Sequence, residues 1–220
     1  MNEINKELAQ QIVDFGKKMF RAGLVTGTGG NISIRVPGKN AFLISPSGMP
    51  YEDITADDIV LMDMEGNQIG GKRRPSVEKN MHRMILKMRP EFNAVIHTHS
   101  TYVSAYASLR KPLPVFLDIM TCVFGGPVKC AEYGRIGSME LAENAEKAMR
   151  GTNVAFLANH GCIGAAENLE LAFGNVELLE MCCKSYFAAC SAGIPMLISE
   201  ENIRLTRAEL AIKYGQKGKD

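Results

Sequence analysis

Two apolar segments that each close on histidine constrain this chain more than any other feature. AVIHTH (94–99) ends in His97 and His99, and VAFLANHG (154–161) ends in His160. Side chains alternate along a strand, so residues two apart project from one face, and His97 and His99 share theirs. If both strands finish at the same rim of a sheet, three imidazoles converge. Three protein ligands with one position open is the pattern of a catalytic zinc site rather than a structural one. Histidines at a strand end also occur simply as caps on backbone carbonyls, so the pair alone carries little. The third histidine, in a matching strand-end place, is what favours a metal. The fourth, His82, stands four residues beyond Glu78, on the same face of an expected helix, where a packing or supporting role is the expectation.

The rest of the chain supplies helices to flank such strands. Ile4, Leu8, Ile12, Phe15 and Met19 repeat at helical spacing, which predicts an amphipathic helix over 3–22. A glycine-rich turn then leads into an alternating strand at 31–35, with 41–45 as its hairpin partner and 59–63 as a further strand. Ser76 is read as the N-cap of a helix running to Arg89, where Pro90 stops it. Further helices are expected over 100–109, 138–150 and 168–192, with a last one from Ser199 towards Tyr214. Residues 110–136 hold prolines, glycines and short apolar pieces without a resolvable pattern. The expectation is one α/β domain over residues 1–220.

Composition narrows the function. Hydrophobic residues make up 46% and charged residues 22%, as in ordinary soluble globular chains. The net charge of +1 gives no electrostatic reason to expect nucleic acid or an anionic membrane as partner. No apolar run reaches the ~18 residues a membrane span needs. The first residues lack the apolar core of a secretion signal. The six cysteines form no CxxC pair, and free thiols in a reducing cytoplasm are expected.

Three small-residue turns suggest where an anion could sit. TGTGGN (26–31) follows a helix and opens a strand, the wrong context for a dinucleotide fingerprint, but its backbone N–H groups could form a nest. SPSG (45–48) is a second turn. Pro75–Ser76 places a hydroxyl and amides at a helix start, a natural phosphate site. Each is an ordinary turn when taken singly. Together, beside three histidines, they point to a phosphorylated small molecule.

GTGGN, SPSG, PSVE, HTH and NHG, in that order, resemble the class II aldolase/adducin family, and the likeness runs from GTGGNIS (27–33) to KYG (213–215). The resemblance implies a mainly antiparallel nine-stranded sheet flanked by helices, and a homotetramer with active sites at subunit interfaces. It implies zinc, with manganese, cobalt or iron as substitutes, held by His97, His99 and His160, with Glu78 both a catalytic carboxylate and able to approach the metal. It implies phosphate binding by Gly30, Asn31, Ser47, Gly48, Ser76 and Val77. Tyr214 matches a tail tyrosine that closes over the site, and Asp118 falls where the family's aldolases carry a tyrosine from a neighbouring subunit.

The implied activity is reversible cleavage of a ketose 1-phosphate, such as L-fuculose 1-phosphate or a related deoxyketose 1-phosphate, to dihydroxyacetone phosphate and an aldehyde such as lactaldehyde. The same scaffold also serves an L-ribulose-5-phosphate 4-epimerase, a methylthioribulose-1-phosphate dehydratase and a 3-oxo-tetronate 4-phosphate decarboxylase. Non-enzymatic adducin-like modules lack the three histidines that this chain keeps.

Overall fold

A computed structural model describes residues 4–213, the last four as backbone alone. The order is α1 (Lys6–Arg21), β1 (Asn31–Arg35), β2 (Ala41–Ile44), β3 (Val60–Asp63), β4 (Gln68–Gly70), α2 (Lys79–Met88), β5 (Ala94–Thr98) and α3 (Thr101–Ala107). It continues with α4 (Asp118–Phe124), β6 (Cys130–Ala131), α5 (Met139–Ala148), β7 (Val154–Leu157), β8 (Gly161–Ala166), α6 (Leu169–Ala192) and α7 (Glu200–Lys213).

Among the described residues the sheet has eight strands, in the order β4-β3-β2-β1-β5-β8-β7-β6, one fewer than the nine expected. Neighbours pair antiparallel except β6 and β7, which are parallel, so the sheet is mixed. Part of the segment that defied sequence reading forms only one isolated bridge, Leu113 with Val128. Pro112 and Pro114 flank one side of that bridge and Pro127 precedes the other. None has an N–H to donate, so the ladder cannot lengthen there.

The sheet is the middle layer of three. Its alternation sends Ile32, Ile34, Ala94, Ile96 and Phe156 to one face, packed with Ile12 of α1, Val103 and Tyr106 of α3, and Phe173 and Val176 of α6. The opposite residues Phe42, Ile44, Val95, Ala155 and Ile163 pack with Met81 and Ile85 of α2 and Leu141 and Ala145 of α5. Each large aliphatic side chain buried this way contributes about 1.5–3 kcal/mol. α7 packs on α4, and Asn202 N–H bonds to Ser199 Oγ at its start.

Two elements differ from their expected bounds. α2 opens at Lys79, three residues beyond the expected cap. The N–H of Ser76 bonds to the Ser45 carbonyl, and Pro75 bridges Pro46, which keeps this stretch extended. The expected strand 154–161 is instead β7, a turn, and β8. Asn159 takes a left-handed φ of 57°, a conformation Asn tolerates, and His160 N–H closes the turn on the Leu157 carbonyl. Cys162, Cys182 and Cys183 are buried and free, whereas Cys122 and Cys190 are exposed.

Candidate metal centre

β5 and β7 run the same way because β8 lies antiparallel between them. Their carboxyl ends therefore meet at one rim, and the three histidines converge there. Ring centroids are 4.5 Å apart for His97 and His99, 4.8 Å for His97 and His160, and 4.9 Å for His99 and His160. Odd residues of β5 face α2, whose start carries Glu78. One ligand atom each from Glu78, His97, His99 and His160 lies within 4.8 Å of the others.

The approach of these elements depends on glycine at two points. A Cβ on Gly161 would stand 2.1 Å from the Thr98 carbonyl and 3.0 Å from His99 Cδ2. Gly30, at φ 73°, lies where a Cβ would meet the His97 carbonyl at 2.7 Å. The glycine-rich loop thus packs directly on the histidine strand.

His97 is fixed by its Nδ1–H, which donates to the Cys162 carbonyl at 2.7 Å. Its Nε2 then faces Glu78 Oε2 at 3.1 Å, off the line of a hydrogen bond. His160 Nε2 stands 3.5 Å from Glu78 Oε1. Burial pushes the Glu78 carboxyl up, but His97, His160 and the Asn31 amide outweigh it and hold the group well below the usual carboxylate range. Burial and the neighbouring imidazoles push His99 down to about 3, and burial with His97 pushes His160 to about 4. Burial opposes charge on His97 too, yet Glu78 beside it and the Cys162 carbonyl raise that imidazole. Two neutral rings and one carboxylate thus offer lone pairs to a cation. Glu78 Oε1, His97 Nε2 and His99 Nε2 are buried without a hydrogen-bond partner among the described residues. Buried orphans are costly, and the two imidazole nitrogens, with the carboxylate beside them, fit a divalent metal. A set of three imidazoles and one carboxylate suits zinc, manganese, cobalt or iron.

A buried hydrogen-bonded row supports Glu78. Asn31 Nδ2 donates to Glu78 Oε2 at 2.9 Å, His82 Nε2 meets Asn31 Oδ1, and Ser33 Oγ lies 2.7 Å from His82 Nδ1. Asn31 and Ser33 are two apart on β1 and share the α2 face, and Asn31 registers opposite His97 on β5. Burial, with His97 beside it, lowers His82 to about 3. The sequence reading placed His82 with Glu78 but missed Ser33 and the Asn31 side chain. The period-two spacing of Asn31 and Ser33 on a predicted strand was the available signal.

The three small-residue turns also meet. Pro46 and Pro75 form a bridge, Ser47 N–H bonds to the Arg74 carbonyl, and Ser45 Oγ accepts from Ile32 N–H. Ser76 Oγ accepts from Glu78 N–H at 3.2 Å. Gly30 is half-buried, Ser47 and Gly48 are exposed, and Val77 is 56% exposed. Asp118 is the first residue of α4 and lines a groove of about 550 Å³ with Met196, Leu197 and Asn202, apart from the histidines. Tyr214 lies outside the described residues. No helix among the described residues is long and apolar enough to cross a membrane.

Comparison with known proteins adds a family. The class II aldolase and adducin N-terminal domain family matches residues 10–187. The 5-deoxy-D-ribulose 1-phosphate aldolase of Bacillus thuringiensis serovar kurstaki is 39% identical, over 94% of this chain and 97% of its own. The L-fuculose phosphate aldolase of Escherichia coli O6:H1 is 35% identical, over 90% of this chain and 92% of its own. A solved L-fuculose 1-phosphate aldolase superposes with a TM-score of 0.91 at 39% identity, covering 95% of this chain and 98% of that one.

Proposed function

This chain belongs to the class II aldolase and adducin N-terminal domain family, and from that premise we propose that it is a metal-dependent aldolase acting on a ketose 1-phosphate. The reaction is reversible cleavage to dihydroxyacetone phosphate and a small aldehyde. The observation that carries this reading is the cluster of Glu78, His97, His99 and His160 with its orphaned ligand atoms. An adducin-like scaffold has no use for three converging imidazoles. The two relatives named for sugar-phosphate aldolases, at 39% and 35% identity, support a deoxyketose phosphate such as 5-deoxyribulose 1-phosphate or L-fuculose 1-phosphate.

His97, His99 and His160 would hold the metal, zinc first among the candidates. Bound there, the metal supplies Lewis acidity that polarises the substrate carbonyl and steadies the charge left on its neighbouring carbon. The remaining work falls to the chain. Glu78 moves the proton at that carbon, taking it in the condensation direction and returning it after cleavage. The carboxylate is ionised there and so has a lone pair to accept that proton. The backbone N–H groups of Gly30, Gly48 and Val77 and the hydroxyls of Ser47 and Ser76 bind the phosphate, which positions the reacting carbons. Asn31 belongs to this set through its position, but its side chain is engaged by Glu78 and His82.

Tyr214 is assigned to the aldehyde end as a tail residue that closes over the site, and Asp118 as a residue contributed by a neighbouring subunit of a homotetramer. The exposed apolar side chains of Val77, Tyr133 and Ile136 support an interface here, since Gly137 packs against the Val77 carbonyl. The test is a panel of ketose 1-phosphates scored for released dihydroxyacetone phosphate. Release from a deoxyketose 1-phosphate supports the reading. Epimerised, dehydrated or decarboxylated products without it would replace aldol cleavage by another reaction of the same scaffold.

A further inference from the structure

His82 is fully buried, titratable and unused by the chemistry above. Its surroundings determine its proton. Glu78, ionised, can only accept hydrogen bonds. The group of Asn31 that faces Glu78 Oε2 must therefore be the NH₂, which turns Asn31 Oδ1 towards His82. A carbonyl oxygen accepts, so His82 Nε2 must carry its hydrogen. A neutral imidazole then has a bare Nδ1, and Ser33 Oγ–H donates to it. Ser33, His82, Asn31 and Glu78 form one directed row, all less than 5% exposed. Only one arrangement of hydrogens satisfies every member.

We propose that His82 is a positioning residue that, through Asn31, tethers Glu78 Oε2 and leaves Oε1 as the oxygen that takes and returns the substrate proton. The inference rests on the aldolase reading for its consequence, though not for the row itself. Oε1 is the oxygen without a hydrogen-bond partner, 3.5 Å from His160 Nε2. Without the Nε2–H donor, Asn31 loses the partner that fixes its amide. A flipped Asn31 sets oxygen against oxygen at Glu78, and the carboxylate turns away. Ser33 completes the row by holding the tautomer, as a metal-bound histidine is held by the acceptor on its other nitrogen.

Two variants separate this from packing. Glutamine places an N–H near the position of the imidazole Nε2, whereas asparagine reaches only the position of Nδ1. His82→Gln keeps the donor to Asn31, and His82→Asn loses it. Each variant is loaded with zinc and measured for metal content, thermal midpoint, cleavage rate and solvent-deuterium exchange into dihydroxyacetone phosphate. The expected result is full metal content in both, with kcat and exchange lowered about 10–100-fold in His82→Asn, within about threefold of wild type in His82→Gln, and KM little changed in either. Equal losses in the two variants, tracking their thermal midpoints, would overturn the positioning role. The tautomer is read independently from ¹⁵N-histidine spectra of the zinc-loaded wild type, where an Nδ1–H form of His82 would also overturn it. Wild type that neither exchanges nor cleaves, with His82 in the Nε2–H form, would refute the aldolase reading and leave the directed row standing.

Discussion

Gly161→Ala puts the packing of the histidine rim to the test. The added methyl would stand 2.1 Å from the Thr98 carbonyl, where ordinary contact begins at 3.4 Å. The strands cannot simply part, since β5 and β8 are registered from Ala94–Ala166 through Thr98–Cys162. The strain falls on the free end, where the 158–160 turn and His99 lie, and a shift of about 1 Å there exceeds the ~0.2 Å tolerance of a metal–ligand distance. Overpacking of this kind costs about 1–3 kcal/mol, so the thermal midpoint of the metal-free protein should fall by about 2–12 °C. Zinc affinity should fall at least about tenfold. The control is Gly174→Ala, at an exposed place inside α6 with nothing within 4 Å of the new methyl, which should stabilise by about 0.5–1 kcal/mol. Calorimetry and zinc titration on the three proteins decide. A Gly161→Ala protein with an unchanged midpoint and zinc affinity would refute the close-approach argument.

Other expectations follow from the charges and roles. Glu78→Gln should retain metal while cleavage and deuterium exchange fall about 10²–10⁴-fold, and exchange at the wild-type rate would remove Glu78 as the base. The raised pKa of His97, set by Glu78 beside it, means that in the metal-free site its proton is held to higher pH than on an ordinary imidazole, and zinc must displace it. Zinc affinity should therefore rise up to about tenfold per pH unit below that raised pKa and level off above it. Calorimetry at pH 6.5 in buffers of different ionisation heat counts the protons, and a count near zero contradicts the assignment. The depressed pKa values of His99 and His160 act on folding instead. Between about pH 4 and 6.5 the unfolded chain binds more protons at these two rings, so they contribute a loss of stability as pH falls through that window, measurable by denaturant titration of the metal-free protein. Tyr214→Phe should slow cleavage while leaving deuterium exchange near wild type, because exchange needs only the metal, Glu78 and the phosphate turns. Equal losses in both would assign the tyrosine to the proton-transfer half instead.

Much of this was legible before the fold, and the parts that were not share a cause. β1 and β5 were readable because alternating or continuous apolar residues end at turns. His97, His99 and His160 were readable because strand ends place them at a rim. β8, GCIGAA, was not expected, since its small residues lack the branched and aromatic signature of strands. They are small because Gly161 passes under Thr98 and Gly164 under Val176. The start of α2 was misjudged because the pairing of Pro75 with Pro46 is a long-range contact that no local cap signal reports. Among the described residues the sheet stops at eight strands, and in residues 110–129 prolines hold the Leu113–Val128 pairing to one bridge. Asn31 was read as part of an anion-binding loop. Its engagement with Glu78 emerges only when β1 is registered beside β5 with α2 laid across them.

The proposed activity is aldol cleavage served by a metal that three histidines hold. Its most direct measurement is dihydroxyacetone phosphate released from 5-deoxyribulose 1-phosphate and L-fuculose 1-phosphate by the protein as purified, after chelation, and after zinc is restored. The expected result is release from at least one of them, its loss on chelation, and its return with about one zinc per chain. Release that persists in the metal-free protein, or none from either substrate by a fully metallated one, would contradict it.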